Sequence, residues 1–129
     1  MDKAMSYLAL ARKAGLAELG EEPAGAASRS GQATLIVVAS DASDHTWRRA
    51  KSLVSGTNQQ LIRLPYTKDE MGFAIGRTSL AIAAITDAGI GASLAEALGD
   101  AQYGEAVQAL KALAARRKQR KSKPAKKEH

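Results

Sequence analysis

The sequence predicts an α/β fold, a three-layer α-β-α sandwich built on a four-stranded mixed sheet, followed by a C-terminal helix and a basic tail. Three observations carry this prediction. "TLIVVA" at 34–39 and "SLAIAAIT" at 79–86 are apolar at odd and even positions alike, so each strand needs cover on both faces and belongs inside a sheet with helices above and below it. Stretches of helical periodicity alternate with these two strands and with two shorter strand-like runs. The chain has 129 residues, 45% of them hydrophobic, which suits one core and not several.

Taken in order, residues 3–13 set Ala4, Met5, Leu8 and Ala11 at helical spacing and stop before Gly15. Residues 16–19 fit a short strand. Gly20 then turns the chain into a small-residue helix that carries Glu21, Glu22 and an early Pro23 in its first turn and runs to Ser30, before Gly31. After the strand at 34–39, Ser43 caps a helix through about residue 54, with Trp47, Ala50 and Val54 on one face. "SGTN" at 55–58 breaks it, and "QLIRLP" at 60–65 is a strand ended by Pro65. Thr67 answered by Glu70 is a capping box, and its helix buries Met71, Ala74 and Ile75. The strand at 79–86 leads to a helix over about 88–98. A last helix starts at Tyr103, with Val107, Leu110 and Ala114 on its apolar side. The expected organisation is a domain over 1–99, a helical extension over 100–121 and a basic tail over 122–129. That tail has Pro124 and no apolar residue except Ala, and is expected to be disordered.

The net charge of +6 is unevenly placed. Residues 116–129 hold eight of the nineteen Lys and Arg and one of the thirteen acids, which leaves eleven bases against twelve acids, a net of −1, in residues 1–115. The body is nearly neutral and the tail is cationic. Such a tail serves either solubility or salt-dependent, sequence-blind attraction to RNA through Arg116, Arg117, Lys118, Arg120 and Lys121. Apolar runs reach six residues at most, far short of the ~20 that cross a membrane. The first residues lack the order of a signal peptide, and the absence of cysteine removes disulfides and thiolate zinc sites. A soluble, cytoplasmic protein is expected.

Catalysis finds little to work with. His45 sits in the first turn of a helix and His129 ends the chain, so no triad, catalytic residue, metal set or cofactor is expected. Asp41 and Asp44 in "ASDASDHTW" read as loop and cap chemistry. Gly89 and Gly91 start a dinucleotide-like turn whose third glycine position is Leu94, so a tight strand-to-helix turn is the better reading. Gly72 and Gly76 suit close packing more than helix dimerisation.

The run "AGLAELGEEPAGAASRSGQATLIVVASDAS" at 14–43, followed by "TKDEMGFAIGRTSLAIAAITDAG" at 67–89, resembles the small bacterial relatives of kink-turn-binding ribosomal proteins, and more narrowly their YlxQ-type branch. The resemblance covers residues 3–95. It implies a mixed sheet between helices and an RNA-binding edge made of three loops. Carried onto this chain, that edge is Gly20, Glu21, Glu22 and Pro23 with Ala26 and Arg29, the loop of Ser40, Asp41 and Ala42, and the loop of Arg77, Thr78, Ser79 and Leu80. Recognition there is of RNA shape and splayed bases.

The chain departs from the family pattern at the helix entrance. Small polar and basic residues give way to Glu21, Glu22 and Pro23, and a phosphate-meeting lysine gives way to Ala26. Two carboxylates repel a phosphodiester, and proline removes an N–H donor. Arg12, Lys13, Arg29 and Arg77 are the bases expected near this edge. At Arg12 and Lys13 a helix-end role competes with RNA contact, and Arg77 has the stacking chemistry that bases accept. Two functions fit. One is an RNA-binding accessory protein of translation or ribosome assembly, a monomer that meets structured RNA and possible ribosomal or translation-factor proteins. The other is a protein-interaction module on the same scaffold.

Overall fold

Asp2 starts the first helix by accepting a hydrogen bond from the Ala4 N–H at 3.2 Å. From there a computed structural model describes residues 2–127, with side chains through residue 119. Helices α1 (Lys3–Lys13), α2 (Glu21–Arg29), α3 (Asp44–Val54), α4 (Lys68–Ala74), α5 (Ala88–Ala97) and α6 (Gly104–Lys127) alternate with strands β1 (Ala17–Leu19), β2 (Leu35–Val38), β3 (Gln60–Arg63) and β4 (Ile82–Ile85) up to α5. The expected caps form. Ser43 accepts from the Thr46 N–H, and Thr67 and Glu70 close a reciprocal capping box on α4. The apolar stretch at 79–86 pairs as a strand over a shorter span, because Leu80 turns inward with its N–H on the Lys68 carbonyl.

The sheet is mixed, in the order β1-β4-β2-β3, with β4 antiparallel to both neighbours and β2 parallel to β3. β2 and β4 are its central strands and are buried along their whole length, as their two apolar faces require. Leu35 and Val37 face a large cluster that receives Leu8, Met71, Leu94 and Leu110. Ile36 and Val38 face a smaller one made with Ala24, Ala27 and Ala50 from α2 and α3. The result is the three-layer sandwich, with α2 and α3 on one side. Thr34 is the polar residue at the head of β2, and it is buried at no cost in hydrogen bonding: its hydroxyl and its N–H both donate to the Ile85 carbonyl, at 2.8 and 2.9 Å.

α6 packs Ala106, Val107 and Leu110 into the large cluster and continues through Lys127. The sequence sets the start of a disordered tail at residue 122, so helix and expectation differ over 122–127. Ala, Lys, Arg and Gln are strong helix formers and carry the helix from its packed first half through residue 121; propensity does not account for its continuation past Ser122 and Pro124 to Lys127. Residues 128 and 129 lie outside the described residues.

The strand pairing gives the molecule two poles. Leu19 faces Ala83, while Val38 lies between Ile82 and Arg63, so the ends of β1, β2 and β3 meet the start of β4 at one end of the sheet. Among the described residues, five of the six helices begin there. α2, α3 and α4 follow strands that end at this pole, α1 is tied to it by the Tyr66 hydroxyl on the Asp2 carboxylate, and α6 by the Tyr103 hydroxyl on the Arg63 carbonyl. α5 runs the other way, starting after β4.

Candidate nucleic-acid interface

Three loops form a rim at the pole where these helices begin. The first is the turn at Gly20, whose φ of 97° a side chain rarely tolerates and whose N–H donates to the Ile82 carbonyl. No side chain caps α2 at this position. Glu21 instead leans toward α3, 3.7 Å from the Arg49 guanidinium and 3.4 Å from the Thr46 hydroxyl. Glu22 and Pro23 are exposed. One of the two carboxylates at the helix entrance therefore has a cation beside it, and the other faces solvent.

The second loop leaves β2. The Ser40 N–H donates to the Tyr66 carbonyl at 2.8 Å, and the Asp41 carboxylate accepts from the Lys68 N–H at 2.8 Å. Asp41 therefore caps α4 from a distant point in the chain. The third loop, Arg77, Thr78 and Ser79, is exposed and is drawn onto α4 by the Arg77 N–H, which donates to the Gly72 carbonyl at 2.8 Å. A Cβ at Gly72 would stand 2.7 Å from the Ser79 backbone and 2.9 Å from the Arg77 carbonyl oxygen. Glycine is required there by the loop's close approach, and Gly72 of the Gly72/Gly76 pair is occupied by this packing. Beside the rim, Asp2 sits below the usual carboxylate range because the Tyr66 hydroxyl and then the Ala4 N–H stabilise its charge. Tyr66 is pushed up by burial first and by Asp2 second.

The structure brings together Gly20, Glu21, Glu22, Ser40, Asp41, Arg77, Thr78 and Ser79. It does not bring Arg12, Lys13 or Arg29 to them, which corrects their expected place near the edge. Arg12 and Lys13 form the last turn of α1, whose following residue Leu16 accepts from the Thr86 N–H past the far end of β4. Arg29 is the last residue of α2, some 12 Å from its start at about 1.5 Å per residue. α1 and α2 begin at the rim pole and run along the sheet, so their last turns lie away from it, whereas the short α4 starts at the rim and leads straight into the rim's third loop. The described part of the cationic extension is also at the far pole, where the Arg117 guanidinium lies 3.4 Å from the Thr86 carbonyl. Arg116 and Lys118 are exposed neighbours on the same helix. The side chains of Arg120 and Lys121 lie outside the described ones.

Two features were missed in the sequence. Phe73 is 78% exposed, beside a groove of about 400 Å³ that Met5, Ala74, Asp69 and Glu70 help to line. Its position between Gly72 and Ala74, off the face of Met71 and Ala74, is a signal that the periodicity contained. Trp47 packs partly on the smaller core cluster, as its spacing suggests, and also carries the Arg63 guanidinium 4.4 Å from its ring centroid. That partner comes from β3 and no local pattern announces it. His45 is exposed in the first turn of α3, and Gly91 packs against Leu35 and Leu110 within α5.

Fold and site together define a mixed-sheet α-β-α sandwich with a three-loop rim at one end. No family model and no curated protein matches the chain. Among solved structures it is similar to a protein of unknown function from Bacillus halodurans, at 28% identity over 78% of this chain and 100% of that one, with a TM-score of 0.71. It is also similar to a Giardia lamblia 15.5kD RNA binding protein, at 18% identity over 84% of this chain and 87% of that one, with a TM-score of 0.62. The second likeness is one of fold. Among the described residues no helix is long and apolar enough to cross a membrane.

Proposed function

We propose that this chain is an RNA-binding accessory protein of translation or ribosome assembly, which recognises structured, kink-turn-like RNA through its three-loop rim. The observation that carries this reading is the loop of Arg77, Thr78 and Ser79, held rigid against Gly72 with its side chains in solvent. A preorganised arginine at the edge of a sheet can stack on a splayed base and meet phosphate with the same planar group. The Gly20 turn and the exposed Ser40 lie in the same rim. The fold shared with a protein described as RNA binding adds support. Glu22 and Pro23 disfavour phosphate at the first loop, so the third loop supplies most of the contact.

Fluorescence anisotropy with a labelled kink-turn and a straight RNA duplex of equal length tests the reading. Full-length protein is expected to bind the kink-turn with submillimolar affinity and more tightly than the duplex. Arg77→Glu is expected to remove the preference at a cost of about 1–3 kcal/mol. Equal affinity for the two RNAs overturns the rim as a shape reader.

A second reading is favoured by Phe73 and the acids around it. An exposed ring flanked by Asp69 and Glu70 over a groove suits a cationic protein segment with an apolar anchor. This protein-interaction module replaces the RNA reading if the chain shows no saturable RNA binding at low salt and retains a protein partner that Phe73→Ala releases.

A further inference from the structure

The pole opposite the rim gathers cations that the rim reading does not use. α1, α2 and α6 all reach it with their basic stretches, bringing Arg12 and Lys13, Arg29, and residues 116–118 to one end of the sheet. Among the described residues Arg49 pairs with Glu21 and Lys111 with Glu96, and neither pair engages Arg12, Lys13, Arg29 or Arg117. One carboxylate lies in their midst: Asp87, which caps α5 by accepting from the Ile90 N–H at 2.8 Å and still counts as one negative charge against at least five cations.

The surface between the cations is furrowed. A groove of about 330 Å³ has Arg29 on one wall and Arg117 on another, with Ser28, Thr57, Asn58 and Gln59 between them. A second groove, of about 410 Å³, runs on the other side of Arg117 past Asp87, Ala88, Gly89 and Lys118; its carboxylate makes it the poorer of the two for phosphate. Arg117 stands where the two meet, and its contact with the Thr86 carbonyl ties it to the sheet end that also anchors Leu16, three residues after Lys13. The first groove, with its polar Ser28, Thr57, Asn58 and Gln59 between Arg29 and Arg117, suits a chain of phosphates more than an apolar partner.

We propose that this far pole is a second RNA-docking surface, which holds the phosphate backbone of a helical RNA segment without regard to sequence. This rests on the RNA reading above for the nature of the ligand and not for the place where it binds. α6 spans some 20 Å from Gly104 to Arg117 at about 1.5 Å per residue. That exceeds the ~10 Å Debye length at 0.1 M salt, so rim and pole act independently. A protein with two such surfaces bridges two RNA segments, one read by shape and one held by charge.

The test uses the full chain, a fluorescein-labelled straight RNA duplex and a series of salt concentrations. Arg29→Glu with Arg117→Glu is expected to weaken duplex binding at low salt by about tenfold or more, and to lower the salt slope by about 0.9 for each phosphate that the variant no longer neutralises. At 0.1 M salt and above, Arg77→Glu is expected to leave duplex affinity within about twofold, because rim and pole then lie more than a Debye length apart. The double Arg→Gln variant, which removes the charge and keeps a polar side chain, repeats the measurement if the Glu variant fails a circular-dichroism melt. A photo-crosslinker at Gln32, exposed at the far pole, should capture the duplex, and one at Ser79 should not. Duplex affinity and salt slope unchanged in a folded pole variant, or crosslinks from Ser79 alone, overturn the proposal. Loss of kink-turn preference in the unmodified protein, with the pole variants still impaired, removes the rim reading and leaves this one standing.

Discussion

The two ends of the sheet differ in charge for one shared reason. At the rim, first turns carry Glu21 and Glu22, Asp44, and Asp69 and Glu70; at the far pole, last turns carry Arg12 and Lys13, and Arg29. Each placement follows the local rule that acids stabilise a helix start and bases a helix end, by about 0.3–1 kcal/mol apiece. Nothing in that rule concerns a ligand. The topology makes it global, because five of the six described helices begin at the same pole, and local capping then adds up to a molecule with an acid-rich and a base-rich end. Acidity at the rim is accordingly weak evidence against RNA there, since Glu21 leans on Arg49 and Asp41 caps α4. Basicity at the far pole is stronger evidence for it, since α6 adds cations well beyond what one helix end needs.

The largest effect expected from breaking this contrast comes from removing the basic end. Deleting residues 116–129 takes away a net +7 and leaves a net of −1. Affinity for straight duplex RNA should fall by about a hundredfold at low salt, with the salt slope collapsing alongside it. Titration of the truncated chain checks this, and a retained slope would place the binding surface elsewhere.

Next comes the rim's rigidity. Gly72→Ala forces the Arg77–Ser79 backbone off α4 and is expected to cost about 1–3 kcal/mol, read as a lower urea midpoint. Kink-turn preference should drop while duplex binding stays. A rim loop that tolerates the methyl group would show an unchanged midpoint.

Glu21→Ser with Glu22→Lys and Pro23→Gln sharpens the contrast in the opposite direction. It removes two negative charges, adds a positive one and restores an N–H at the entrance of α2, and should raise kink-turn affinity by about tenfold. No gain would mean that the scaffold around the turn, not its charge, has diverged.

The smallest effect concerns acid. Asp2 is held below its ordinary value of 3.8 by the Tyr66 hydroxyl first, so its contribution to stability is present above that value and disappears as pH falls through the lowered one. Tyr66→Phe should return the Asp2 carboxyl toward 3.8 in a carboxyl NMR titration. An unmoved titration would show that the bond does not persist in solution.

Most of the fold was legible because its signals are local. Two strands apolar on both faces, a capping box at Thr67, a serine cap at Ser43 and glycines after α1 and α2 each state their element without help from the rest of the chain. The rim positions were legible through family resemblance, and their convergence depends on sheet order, which periodicity does not encode. Arg12, Lys13 and Arg29 show where local reading ends. Their positions on the helices were correct, yet which pole those helices end at follows from β4 running antiparallel between β1 and β2. Asp41 reaching Lys68 and Arg63 reaching Trp47 were hidden for the same reason, since each joins residues that only strand pairing makes neighbours.

The ratio of kink-turn to duplex affinity, measured across salt in the unmodified protein and in the Arg77 and Arg29/Arg117 variants, tests the central claim most directly. The ratio should exceed one at every salt concentration, fall to one with Arg77→Glu, and hold steady in the pole variant while both affinities decline together. A ratio of one throughout, or one that tracks Arg29 and Arg117 and ignores Arg77, would contradict a rim that reads shape and a far pole that holds charge.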